Sequence, residues 1–182
     1  MKNSLLTESF FTRDACVVAQ NLLGCYICER HGTRYKIIET EAYFPDEEFC
    51  YGHGKTKATA ARLVSAPLFD KPGTWCVYGG QLLLSVTDDQ NSDNVLVKRV
   101  IGENGEIYSP DAMANILHLY KSKPGYCGCH GQYALSKDSA LFLEDRHVIP
   151  SVDAKKRVGI NDDKLYNFSI KGSDLCSTSL PF

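Results

Sequence analysis

The chain has 182 residues, of which 43% are hydrophobic, 23% charged and 10% aromatic, with a formal net charge of −2. Those values exclude a disordered, collagen-like or mucin-like chain. They also exclude a non-specific nucleic-acid coat protein, whose affinity comes from excess positive charge. The length predicts one domain over residues 1–182 with an ordinary hydrophobic core. No apolar run nears the ~18 residues that span a bilayer, and Met1-Lys2-Asn3-Ser4-Leu5-Leu6-Thr7-Glu8 lacks an apolar export core. A location inside the cell, with no membrane partner, is expected. Charge is unevenly spread: acids dominate Glu39–Glu48 and Asp88–Asp93, bases Lys55–Arg62 and Lys155–Arg157. A positive face, and with it DNA binding, stays open.

Eight cysteines are many for an intracellular chain, where free or metal-bound thiols are the default. Cys25 and Cys28 fall in a predicted strand, where residues three apart point to opposite faces and do not share an ion. Cys127, Cys129 and His130, with Cys50 and His53 as further candidates, could hold zinc; free thiols are the simpler reading.

In chain order, Thr12 reads as a helix N-cap and Gly24 as a stop, with Ala15, Val18, Ala19, Leu22 and Leu23 forming one apolar stripe. A hairpin follows, Cys25–Arg30 and Arg34–Phe44, turning at His31-Gly32. The polar stretch Cys50–Arg62 ends in helical character. A second hairpin pairs Thr74–Tyr78 with Gln81–Thr87 across Gly79-Gly80, and Val95–Ile101 is a further strand. Ser109-Pro110-Asp111 opens a helix with Met113, Ile116, Leu117 and Tyr120 inward. After a loop over Lys123–Gly131, a short helix is predicted around Ser139–Leu143, then strands Lys156–Ile160 and Leu165–Lys171. Trp75 and Phe142 are expected in the core, and His118 is expected to be an ordinary surface or satisfied histidine. With hairpins and no βαβ series, the fold class is mixed α/β (α+β) with a mainly antiparallel sheet.

The informative strand is Ile38-Glu39-Thr40-Glu41-Ala42-Tyr43-Phe44. Period two puts Glu39, Glu41 and Tyr43 on one face, the carboxylates ~7 Å apart. Carboxylates are poor strand formers. The pattern fits a half-buried strand with one wet face. It also fits a carboxylate base beside an aromatic platform for a planar ligand, an arrangement suited to hydrolysing a bond to a heteroaromatic base.

Glu39-Thr40-Glu41-Ala42-Tyr43 resembles the E-T-E-A-Y strand of the 3-methyladenine (alkyladenine, N-methylpurine) DNA glycosylases. In the same order, Phe10–Ala15 through Leu22-Leu23-Gly24 resembles that family's opening helix, and Lys71-Pro72-Gly73-Thr74 its P-G-T turn. Val95-Leu96-Val97-Lys98 resembles its V-L-L-R strand, and Arg157-Val158-Gly159-Ile160 and Lys171-Gly172-Ser173 its closing segments. The resemblance implies a curved antiparallel sheet with hairpins and surrounding helices. It implies base excision repair, with hydrolysis of the N-glycosidic bond of alkylated or deaminated purines flipped from double-stranded DNA by a monomer without cofactor, metal or lysine nucleophile.

By the resemblance, Glu41 activates water, Lys98 stands for an arginine that positions it, and the Val158 carbonyl holds it. Tyr43, His53, Tyr78 and Ser85 line the base pocket, Ser85 in place of an asparagine. That serine implies weaker rejection of guanine lesions such as 7-methylguanine. Tyr78, Lys55 and Lys57 are the expected DNA contacts. The sequence departs from the family in a hairpin about three residues shorter, in Gly128–Leu135, in Thr56–Thr59 and at Lys98, where a forked donor is lost. Two further readings stay open: a glycosylase-fold protein that binds damaged DNA without excision, and a small zinc-containing interaction domain.

Overall fold

A computed structural model describes residues 4–30, 32–63, 65–78, 80–117, 130–131, 141–145 and 149–177. The elements are β1 (Ser4–Leu5), α1 (Glu8–Phe11), α2 (Ala15–Leu22), β2 (Tyr26–Glu29), β3 (Arg34–Tyr43) and α3 (Lys57–Ala60). A 3-10 turn (Ala66–Phe69) leads to β4 (Trp75–Tyr78), β5 (Gln81–Ser85), β6 (Asn94–Gly102), β7 (Ile107–Tyr108) and α4 (Pro110–Ile116). Then come β8 (His130–Gly131), β9 (Leu141–Asp145), β10 (Val152–Lys155), β11 (Asn167–Ile170) and α5 (Gly172–Ser177). Among the described residues no helix is long and apolar enough to cross a membrane.

The strands form one curled antiparallel sheet in the order β1-β9-β2-β3-β6-β5-β4-β8, with β7 beside β6 and β10 beside β11. The architecture is the expected α+β type. Its hub is β3. One edge pairs with β6 along most of its length; the other pairs first with β2 (Cys28↔Arg34) and then with β11 (Asn167↔Glu41). The β3–β6 ladder slips twice, around Ile38 and Lys98. Each slip shifts which side chains face inward. Ile37 and Ile38 therefore both enter the core, and Val97 and Val100 do so from β6. Lys98 and Arg99 lie between those two valines.

The main core lies between the sheet and α2 and α4, with Ala15, Val18, Ala19, Leu22, Ala42, Val95 and Met113 fully buried. Thr40 crosses to this side and donates to the Ala19 carbonyl at 2.8 Å, tying β3 to α2. The opposite face carries a smaller cluster of Ala60, Leu68, Phe69, Cys76, Leu83 and Leu96, against which Tyr43 and Tyr51 pack. Burying a side chain such as Leu83 or Leu96 contributes about 1.5–3 kcal/mol. Gly52 lets the loop after β3 close over this face, since a Cβ there would sit 2.0 Å from Ser92 Oγ.

Three predicted elements are corrected. The cap of α2 is Asp14, whose carboxylate accepts from the Cys16 and Val17 amides, while Thr12 ends α1; aspartate at that place satisfies two orphan N–H groups. Residues predicted as a helix at Ser139–Leu143 contribute to strand β9, with Leu141 and Leu143 buried and paired to β2; a short apolar run does not distinguish the two by pattern. The strand placed at Lys156–Ile160 lies earlier, at Val152–Lys155, and the chain then turns at Gly159 with φ +83. Ser109 occupies the N-cap of α4 without a side-chain capping bond. Trp75 is in the core, whereas Phe142 is half-buried. Cys25 and Cys28 are buried free thiols with separate acceptors, Asn21 O and Tyr26 O. The Cys50 thiol is buried against Ser92, whereas the His53 side chain is exposed and lies against the Pro45 carbonyl. His118, Tyr120, Cys127 and Cys129 lie outside the described residues, as does the side chain of His130.

Candidate active site

Alternation on β3 sends Glu39, Glu41 and Tyr43 away from α2, toward the smaller cluster. Glu41 is 1% exposed. A buried carboxylate must be paired and hydrogen-bonded, and among the described residues Glu41 has three donors. Tyr43 donates its hydroxyl to Oε2 at 2.8 Å. Lys98 Nζ lies 3.1 Å from Oε1, and Asn167 Nδ2 donates to the same oxygen at 3.0 Å. Asn167 also donates to Glu39 Oε1 at 2.7 Å, so one amide bridges both carboxylates, and Arg99 Nε meets Glu39 at 3.1 Å. A carboxylate offers roughly four acceptor positions. Three donors leave about one for a further hydrogen bond, such as one from water.

Tyr43 is held from behind. The Arg157 guanidinium lies 4.6 Å from the Tyr43 ring centre and 5.2 Å from that of Tyr166, a stacked arrangement that arginine favours. Arg157 is itself buried. It donates to Glu47 at 2.8 and 3.0 Å, to Asp162 at 2.9 Å and to the Ala42 carbonyl at 2.8 Å. Glu47 also accepts from Lys164 and from the Phe44 amide. Burial alone would raise the Glu47 pKa, but these bonds outweigh it and hold the carboxyl below its ordinary range. The Tyr43 phenol is pushed above its ordinary value, first by burial and then by the Glu41 carboxylate. It stays a neutral donor.

The structure thus joins Glu41, Tyr43 and Lys98. Val158 is separate: it is exposed, one residue beyond Arg157, and it is Arg157 that reaches Tyr43. His53 is exposed, with Nδ1 3.1 Å from the Pro45 carbonyl. Lys55 is engaged with the Tyr51 carbonyl and Lys57 with Asp89; both are internal staples of the loop region. Tyr78 ends β4 opposite Gln81, and the role expected of its side chain lies outside what is described. Ser85 is corrected. It is fully buried, and its hydroxyl donates toward the Lys71 and Thr74 carbonyls at 2.9 and 3.2 Å. It closes the turn before β4 and has no surface to offer a base.

Asn167 was not singled out by the sequence, because no local pattern marks an asparagine that becomes a neighbour of Glu41 only when β11 pairs with β3. The same holds for Glu47 and Arg157, whose contact joins segments 110 residues apart.

Residues 9–102 match the methylpurine-DNA glycosylase family. A protein of Rhizobium etli named "Putative 3-methyladenine DNA glycosylase" is 33% identical over 178 residues, covering 91% of this chain and 85% of that protein. A protein of the same name from Rhizobium johnstonii is 30% identical over 186 residues, covering 93% and 88%. Another, from Oceanobacillus iheyensis, is 28% identical over 197 residues, covering 94% and 95%.

Proposed function

The chain belongs to the methylpurine-DNA glycosylase family, and we propose that Glu41 is the water-activating base of a monofunctional 3-methyladenine-type DNA glycosylase. It is a DNA-repair enzyme whose substrate is damaged DNA. It works as a single-domain monomer on double-stranded DNA inside the cell, on alkylated or deaminated purines rotated out of the duplex. A stacked base is out of reach of any side chain, so extrusion must come first.

The observation that carries the assignment is that the donors to Glu41 among the described residues do not fill its acceptor positions. Its donors orient the carboxylate and leave about one acceptor position for the attacking water. The arrangement serves the reaction twice. The carboxylate takes a proton as water attacks C1′, and its charge stabilises the oxocarbenium-like sugar that forms as the base departs. Lys98, in the place where the family has arginine, holds Oε1 together with Asn167, and the open acceptor position is on Oε2 beside the Tyr43 hydroxyl. Tyr43 offers the ring face not covered by Arg157 to the extruded base. The Val158 carbonyl, beside Arg157, and His53, on the loop over the same face, would be approached by the DNA from outside.

The test is incubation with duplexes that each carry one defined lesion, followed by detection of free base and alkaline cleavage at abasic sites. Release of a modified purine is the expected result. Tight binding of a lesion duplex without release from any of them would overturn the assignment.

A further inference from the structure

The slipped β3–β6 ladder brings two consecutive cations to the face that carries Glu41. In a regular strand Lys98 and Arg99 would point to opposite sides of the sheet. Here Lys98 Nζ meets Glu41 at 3.1 Å and Arg99 Nε meets Glu39 at 3.1 Å, and the two carboxylates share the Asn167 amide. Bulged strands beside a site re-aim side chains in this way. Lys98 is spent on the buried carboxylate. Arg99 is not. Its side chain is 57% exposed, and among the described residues its two terminal nitrogens have no partner. One ion pair through Nε thus steadies the guanidinium and leaves a two-pronged donor at the surface.

Other cations of the region are committed. Lys55 holds backbone carbonyls, Lys57 pairs with Asp89, and Lys164 pairs with Glu47. An ion pair as exposed as Arg99–Glu39 contributes little to stability, so the fold gains little from it. A chain of net charge −2 has no broad positive field, and its hold on a polyanion depends on a few placed contacts.

We propose that Arg99 is the phosphate clamp of this site, its terminal nitrogens taking the two free oxygens of a phosphodiester next to the extruded nucleotide. The inference rests on the reading of Glu41 as the base of a DNA glycosylase. A sugar whose C1′ meets water at Glu41 carries a phosphodiester on each side, through C3′ and C5′, and Arg99 is held one carboxylate away, at Glu39. The planar guanidinium presents parallel N–H bonds that match two phosphate oxygens, which an ammonium does not. The charge of Glu39 is offset on both of its oxygens, by Asn167 at Oε1 and by Arg99 itself at Oε2. Such a contact fixes the register of the duplex and carries no base information. Arg99 therefore sets grip, and leaves lesion choice to the pocket.

The test is an anisotropy titration of a duplex that holds one tetrahydrofuran abasic analogue, repeated across a salt series, and it requires no catalysis. Arg99→Gln should weaken binding roughly tenfold, the weight of a hydrogen bond to a charged group. It should also make the dependence of log affinity on log salt shallower by about 0.9, the counterion release of one phosphate. Arg30→Gln removes the same charge from the turn before β3, at the far end of that strand from Glu41, and should leave the slope unchanged. Both variants should unfold near the parent's midpoint. In further duplexes an uncharged methylphosphonate replaces the linkage on one side of the analogue or the other. One of the two replacements should weaken the parent roughly tenfold and leave Arg99→Gln unchanged, because losses within a single contact do not add.

An unchanged salt slope in Arg99→Gln, an equal change in Arg30→Gln, or fully additive losses with both methylphosphonates would overturn the clamp. Release of 7-methylguanine from a lesion duplex is measured in parallel. Base release with an unaltered slope removes only the clamp, whereas the slope change without base release from any lesion removes the glycosylase reading. No binding of the analogue duplex by the parent would remove both.

Discussion

Two buried carboxylates from one stretch of chain, Glu41 and Glu47, are held in opposite ways. Glu47 is closed: the Arg157 fork, the Lys164 ammonium and the Phe44 amide occupy it, and two cations meet one acid before Asp162 joins. Among the described residues, Glu41 has a neutral hydroxyl, a neutral amide and a single, partly exposed cation. Full compensation makes Glu47 a pin that fixes Arg157, and through it the Tyr43 ring. Partial compensation leaves Glu41 with charge and an acceptor position, as the proposed role of a water-activating base requires. Burial alone therefore does not distinguish the two carboxylates; the number and kind of their donors do.

The largest test of that comparison is Glu41→Gln. It keeps shape and loses the base. Single-turnover base release should fall by ~10²–10⁴-fold, the usual weight of general base catalysis, with affinity for a tetrahydrofuran abasic analogue nearly kept. Release at the parent rate would move the chemistry elsewhere. Glu47→Gln should act on stability instead. It strips a hydrogen-bonded partner from a buried guanidinium, which typically costs about 3–5 kcal/mol, readable in urea or thermal unfolding. A variant as stable as the parent would show that Asp162 alone satisfies Arg157.

The same pair predicts a pH dependence. The folded-state pKa of Glu47 is lowered, so the stability it contributes is present above the ordinary carboxylate range and is lost as pH falls through the lowered value. Asp93 runs the other way: burial first, then Asp88 and other nearby acids, raises it to about 6. Its protonated form favours the fold, and that stabilisation is lost as pH rises through about 6. Asp93→Asn should therefore gain stability relative to the parent as pH rises from about 4 to above 6. A constant difference across that range would contradict the assignment.

Tyr43→Phe removes only the O–H that anchors Oε2. A hydrogen bond to a charged group contributes about 1.5–3 kcal/mol, so base release should slow by roughly ten- to a hundredfold while the ring stays on Arg157. The smallest effect belongs to Ser85. Because its hydroxyl holds the Lys71–Thr74 turn, Ser85→Ala should cost about 0.5–1.5 kcal/mol and leave the ratio of 7-methylguanine to hypoxanthine release unchanged. A shifted ratio would return Ser85 to the pocket.

Much of the fold was readable from the order of residues, since alternation, turn glycines and apolar stripes are local. The face shared by Glu39, Glu41 and Tyr43 follows from the two-residue period of a strand, and the stripe of α2 from the 3.6-residue period of a helix. β9 and β10 depart from the predicted elements because short runs carry no decisive period.

The sequence by itself determined the antiparallel hairpins, the strand that carries Glu41, and the family. What surrounds Glu41 was decided only by tertiary structure. Asn167 reaches it because β11 pairs with the second half of β3. Lys98 reaches it because the β3–β6 ladder slips. Arg157 reaches Tyr43 because Glu47, far away in the chain, is buried beside it. Each is a contact between segments distant in sequence, selected by which pairing buries the most apolar surface while leaving the fewest polar groups unsatisfied.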